Sequence, residues 1–264
     1  MTPELGIHFH VGPARITDGI LNDRSIASIV KKANPSSYLV TNKEFKNSLR
    51  SSINAVSELD FRQSLHDPKT IGLLQRFENF QEIIFSQQAI LGHPKSILND
   101  SKILPGAEEK IGKITSIFAE HELTFHFTIA NQYNYFRTLL DELGALELKK
   151  KISFQIPSWY EFFCRLLPHC DGANIVIWDF TLPNTLALPF VQSVLGLAPD
   201  QIPKDLQTKI LENSCEHLKV SSIADRAVPI FTEEEGKLLS EMYRNDIINI
   251  SNHPELTLIR PTKV

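Results

Sequence analysis

The hydrophobic and polar positions along the chain change period repeatedly, from short apolar runs to helical stripes and back. Leu5 to Val11 predicts a strand buried near its end, followed by a Gly-Pro turn. Thr17 to Lys32 carries a rough apolar stripe through Ile20, Ile26, Ile29 and Val30 and predicts a helix. Asn34-Pro35-Ser36-Ser37 is a turn and Tyr38-Leu39-Val40 a second strand. From Asn42 toward His66 the residues Phe45, Leu49, Ile53 and Val56 recur at helical spacing. Asp67-Pro68 is a break, Ile71 to Phe80 a short helix, and Glu82 to Ser86 a third strand.

Farther along, Pro105 to Glu120 is amphipathic. Leu123 to Ala130 is a fourth strand rich in aromatic and β-branched residues, and Gln132 to Leu146 is a helix. Leu148 to Pro157 is irregular and carries Lys149 to Lys151; the bland reading of those lysines is a solvated loop. Ser158 caps a helix over Trp159 to Leu167, and Asn174 to Phe180 is a fifth strand. Leu186 to Leu195 and Pro203 to Leu211 are helices, and Glu212 to Ala227 reads as loop. Thr232 opens a capping box with Glu235 and heads a helix to about Ile250, before a short extended segment at Leu256 to Ile259. Strand and helix therefore alternate throughout. The expected fold is one α/β domain over residues 1–264, a mostly parallel sheet with helices on both faces.

Composition narrows the function classes. Hydrophobic residues make up 42% and charged ones 22%, as in ordinary globular domains. A net charge of −4 argues against nucleic acid and anionic membranes as partners, since both require a basic excess. No apolar run is long enough to span a bilayer, and the N-terminus has no signal-peptide pattern. Cys164, Cys170 and Cys215 form no Cys-x-x-Cys, so they are expected to be reduced in a cytoplasmic protein.

In parallel sheets, ligands gather beyond the carboxyl ends of the strands. At the first such end, Gly12-Pro13-Ala14-Arg15-Ile16-Thr17-Asp18 leads toward a helix. A glycine there lets backbone N–H groups converge on an anion. Arg15 would supply the cation and Thr17 a hydroxyl, while Asp18 fits better as a helix cap. Local pattern leaves a phosphate cradle and a plain turn both open. His8 and His10 share one strand face, and His10 could face a ligand. Two imidazoles lack the third ligand that zinc requires, so no metal is expected. Ser86-Gln87-Gln88 and Ala130-Asn131-Gln132 close the third and fourth strands, with Arg137 and Thr138 on the helix beyond.

These strand ends, in this order, resemble bacterial sulfotransferase-like proteins, a branch of the nucleotide-sulfate-dependent sulfotransferases with a P-loop-like α/β fold. The stretch His10-Val11-Gly12-Pro13-Ala14-Arg15-Ile16-Thr17-Asp18-Gly19-Ile20-Leu21 is similar, without a gap, to the family's opening strand and loop. Phe85 to Gly92, Leu104 to Phe136 and the later Ser158 to Phe163 with Ala173 to Phe180 look like further family segments. The resemblance implies 3′-phosphoadenosine-5′-phosphosulfate as donor and a hydroxyl of a glycan or small metabolite as acceptor. His10 and Gly12 to Asp18 would hold the donor's phosphosulfate, and Arg15 takes the place of the family's loop lysine. Asn131 and Thr138 fall at the 3′-phosphate site, where Thr138 replaces a serine and Ala130 replaces an arginine. Gln88 falls near the family's glutamate and cannot act as a base. Such losses imply a diverged donor site. The alternative is a non-catalytic binding or scaffold protein that keeps the fold. A kinase-like P-loop enzyme is weaker still, because the loop has no Lys-Ser/Thr pair.

Overall fold

The structure, a computed structural model, describes residues 5–12, 21, 24–40, 44–45, 49–56, 68–86, 90–92, 96–99, 102–139, 144, 157–216 and 231–261. In chain order the elements are β1 (Gly6–Val11), α1 (Arg24–Ala33), β2 (Ser37–Val40), α2 (Leu49–Val56), α3 (Pro68–Gln75) and β3 (Glu82–Ser86). There follow β4 (Leu98–Asn99), β5 (Lys102–Ile103), α4 (Ala107–Ile117), β6 (Glu122–Ile129), α5 (Gln132–Thr138) and α6 (Trp159–Leu166). The last are β7 (Asn174–Asp179), α7 (Pro183–Leu195), α8 (Lys204–Glu216), α9 (Glu233–Asn252) and β8 (Leu256–Ile259).

Six strands form one sheet in the order β2-β3-β1-β6-β7-β8, and every pairing in it is parallel. The α/β expectation thus holds, including the short final strand. β4 and β5 make a separate antiparallel hairpin that sequence periodicity did not register, since two residues per strand show no period.

Register fixes which residues share a face. Ile7, Phe9 and Val11 of β1 lie beside Ile83 and Phe85 of β3 and beside Leu123, Phe125 and Phe127 of β6. This face is apolar and packs on α4 and α6. Phe9 meets Phe118, the C-cap of α4, at 5.7 Å between ring centroids, and Phe127 meets Phe163 of α6 at 5.2 Å. The opposite face carries His8 and His10 of β1, Ser86 of β3, Thr124, His126 and Thr128 of β6 and Trp178 of β7. Phe190 of α7 covers it, 4.8 Å from the His10 ring and 5.3 Å from the Trp178 ring. Right-handed crossovers place α1, between β1 and β2, on the face opposite α6, because the chain there moves toward the other edge.

Local chemistry sets the element ends. Ser158 caps α6, its hydroxyl accepting from Glu161 N–H at 3.1 Å, as read from the sequence. Thr232 and Glu235 close the capping box of α9. Three boundaries differ from expectation. Pro68 opens α3 instead of breaking the chain, because the first turn of a helix needs no proline N–H. Pro183 starts α7 earlier than Leu186 for the same reason. α8 runs to Glu216 through residues expected to be loop. The expected helix start at Thr17 and the segments 57–67 and 145–156 lie outside the described residues.

Candidate functional site

The buried polar face contains a seam of hydrogen-bonded side chains, one relay through Trp178, His126 and His8 and one pair beside it. The Trp178 indole can only donate, and its Nε1 lies 3.3 Å from His126 Nδ1. That leaves the single proton of a neutral His126 on Nε2, which lies 3.2 Å from His8 Nδ1. His126 therefore donates to His8, and the His8 proton is placed on Nε2. These tautomers are assigned from the network. Beside this relay, His10 Nδ1 pairs with Ser86 Oγ at 2.9 Å.

Burial holds these imidazoles neutral. It lowers His10 to about 3, and His126 also to about 3, with smaller like-charge contributions from His8 and His10. His8 is lowered by burial too, partly opposed by the carboxylates of Glu82 and Glu122. α7 brings no ionisable side chain to this face, since its sequence is Pro-Asn-Thr-Leu-Ala-Leu-Pro-Phe-Val-Gln-Ser-Val-Leu.

The seam ends beneath the turn that follows β1. Gly12 has φ +144°, a region that L-residues rarely occupy. A Cβ there would lie 3.2 Å from Thr128 Oγ1 and 3.3 Å from Thr128 N, on the neighbouring strand. Thr128 is fully buried, and its hydroxyl has no hydrogen-bond partner among the described residues. Only glycine fits at the end of β1 this close to β6. The place is also where chain direction splits, since α1 leads from β1 toward one edge of the sheet and α6 leads from β6 toward the other. In an open parallel sheet, that crevice is where ligands bind.

Of the expected site residues, His10 is buried within β1 against Phe190, and Gly12 directly follows the carboxyl end of that strand. Asn131 and Thr138 lie beyond β6, and both are already engaged. Asn131 caps α5 by accepting from Tyr133 N–H at 3.0 Å, and the Thr138 hydroxyl donates to the Tyr135 carbonyl at 2.7 Å. Ala130 is buried, with its carbonyl accepting from Trp159 Nε1 at 2.8 Å. Arg137 lies over the Tyr133 ring, 5.6 Å from its centroid. Pro13, Ala14, Arg15, Ile16, Thr17, Asp18 and Gln88 lie outside the described residues, as do Lys149 to Lys151.

Two carboxylates lie at the carboxyl side of the sheet: Asp179, which closes the fifth strand expected from the sequence, and Asp246, which the sequence reading missed. Asp246 of α9 is buried and accepts from Ser158 Oγ at 2.6 Å, Gln132 Nε2 at 2.6 Å and Trp159 N–H at 2.8 Å, tying α5, α6 and α9 together. Burial raises its carboxyl, and those hydrogen bonds pull the other way. Asp179, at the end of β7, accepts from Tyr243 OH and from Thr181 Oγ1 at 2.5 Å, with Arg260 at 3.4 Å. Both sets are saturated with internal donors and read as joints between elements. Among the described residues, no three His, Cys, Asp or Glu side chains converge as metal ligands. No described helix is long and apolar enough to cross a membrane.

His126, Thr128 and Trp178 were also missed as members of the seam. The signal was present: Leu-Thr-Phe-His-Phe-Thr-Ile in β6 alternates with the same period as Ile-His-Phe-His-Val in β1. Strands buried on both faces usually read as continuous apolar runs. Two strands that alternate polar and apolar instead point to a shared polar face.

No protein-family model matches the chain, and no curated protein matches it.

Proposed function

We propose that the chain is a sulfotransferase-like protein that binds a phosphorylated or sulfated nucleotide at the turn after β1, through a donor site that has diverged. The observation that carries this reading is Gly12, held at positive φ against β6 at the crevice between the carboxyl ends of β1 and β6. A parallel sheet that ends a central strand in such a glycine presents the following backbone N–H groups to an anion. On this reading Arg15 stabilises the phosphate left behind as the sulfuryl group moves from 3′-phosphoadenosine-5′-phosphosulfate to a hydroxyl of a glycan or small metabolite. The P-loop-like affiliation and the transferase reaction both belong to the proposal.

A second reading is favoured by the surroundings of β6. Ala130, Asn131 and Thr138 stand where the family holds the 3′-phosphate, yet Ala130 has no polar side chain and the other two side chains bond internally. A missing charge-assisted hydrogen bond costs about 1.5–3 kcal/mol. A chain that keeps the fold and has lost the reaction fits that arrangement.

Isothermal titration with 3′-phosphoadenosine-5′-phosphate tests the first reading. Saturable binding that disappears in Arg15→Ala supports the anion site. Absence of heat at millimolar nucleotide removes it and leaves the scaffold. Binding together with sulfate transfer to a hydroxyl acceptor would remove the scaffold.

A further inference from the structure

A cavity of about 370 Å³ lies between α5 and the first half of α9, on elements that take no part in the β1 turn. It is within the size range of small-molecule sites. Tyr133 and Phe231 form its apolar wall, with ring centroids 5.8 Å apart. The α9 side is made by Gly236, Ser240, Glu241 and Arg244, which share one helix face by their spacing. Gly236 sets the shape, since a Cβ there would come within 3.2 Å of the Tyr133 ring. Glycine is a poor helix residue, and at this position it lets the ring lie directly against α9. Arg137 lies over the same ring and limits its movement.

The charges of the cavity divide into two kinds. At the rim, Lys237 and Glu233 form an ion pair at 2.7 Å. One to two turns farther along the same helix face, the exposed Glu241 and Arg244 are not paired with each other, and no described side chain pairs with either. One acid and one guanidinium, three residues apart on a helix, stand on the order of 5–6 Å apart at Cβ. That arrangement suits a ligand bearing both charges.

We propose that this cavity binds a small zwitterion of the free amino-acid class with an apolar side chain. Arg244 takes the carboxylate, for which its planar fork is suited, and Glu241 takes the ammonium. Ser240 hydrogen-bonds between them, and the side chain rests on Phe231 and the edge of Tyr133. The lining carries two acids and two cations, Glu233, Lys237, Glu241 and Arg244, and this balance suits a ligand with no net charge.

The test titrates the full chain with L-phenylalanine, N-acetyl-L-phenylalanine and L-phenylalanine amide, followed by NMR line shape or calorimetry. L-phenylalanine is expected to saturate, and each blocked analogue to bind about tenfold more weakly, since each loses one charge-assisted contact. Arg244→Gln, at an exposed position that leaves the core intact, is expected to weaken L-phenylalanine by a similar factor. Gly236→Leu fills the cavity and is expected to abolish binding, with circular dichroism confirming that helix content is retained. No saturation by about 10 mM L-phenylalanine, equal binding of the three compounds, or unchanged affinity in Arg244→Gln would each overturn the proposal. Because nucleotide binding is titrated separately and tested through Arg15, failure here does not bear on the reading of the β1 turn.

Discussion

The two faces of the central sheet are built from the same strands and do different things. One face is packed phenylalanine: Phe9 and Phe85 meet Phe118 at the end of α4, Phe127 meets Phe162 and Phe163 of α6, and Phe125 lies against Phe9 and Phe127. Its cohesion is non-directional burial and tolerates approximate geometry. The other face places His8, His10, Ser86, His126 and Trp178 under an apolar cover, where their polar atoms are held by partners in fixed directions. Position along the strands separates them further, because the polar seam leads toward Gly12. Bulk stability thus belongs to the phenylalanine face, and the shape of the candidate site belongs to the polar one.

Truncation of the apolar face should have the largest effect. Phe127→Ala, at a fully buried ring in contact with Phe162 and Phe163, is expected to cost about 3–5 kcal/mol in denaturant unfolding. Mild acid probes the polar face. His10 and His126 titrate near 6.5 when unfolded and near 3 when folded, so the unfolded chain binds more protons between those values. Their stabilisation is complete above pH 6.5 and is lost as the pH falls toward 3. At about pH 5 each histidine should have cost roughly 2 kcal/mol, measured as a drop in unfolding free energy from its neutral-pH value. A His126→Phe variant should lose less stability on acidification than the parent; an unchanged acid dependence would contradict the neutral seam.

Gly12→Ala should cost on the order of 1–3 kcal/mol, through strain at φ +144° and contact with the Thr128 backbone. The smallest effect is expected at Thr128→Val. Removing a buried hydroxyl that has no partner should be neutral or slightly stabilising, within about 1 kcal/mol. A clear loss of stability there would mean that the hydroxyl is engaged.

Much of this comparison was legible in the sequence. The Glu82–Ser86 strand, the Ser158 cap and the Thr232 capping box were readable because each depends on residues close together in the chain. The shared face of His8 and His10 followed from strand period alone. The seam was not identified, since joining His8 to His126, 118 positions apart in the chain, requires knowing that β1 and β6 are neighbours. Asp246 was invisible for the same reason: its partners come from two other helices. Pro68 misled because proline ends one helix and starts another equally well. Gly12 was singled out correctly as a turn glycine, while its reason, the closeness of Thr128, lies on another strand.

The anion site itself is tested most directly by calorimetric titration of 3′-phosphoadenosine-5′-phosphate into the parent chain and into Gly12→Ala, both verified as folded. Saturable binding by the parent that is weakened at least about tenfold in Gly12→Ala is the predicted result. Equal binding by the two proteins, or no binding by the parent at millimolar nucleotide, would contradict a ligand site built on the turn that ends β1.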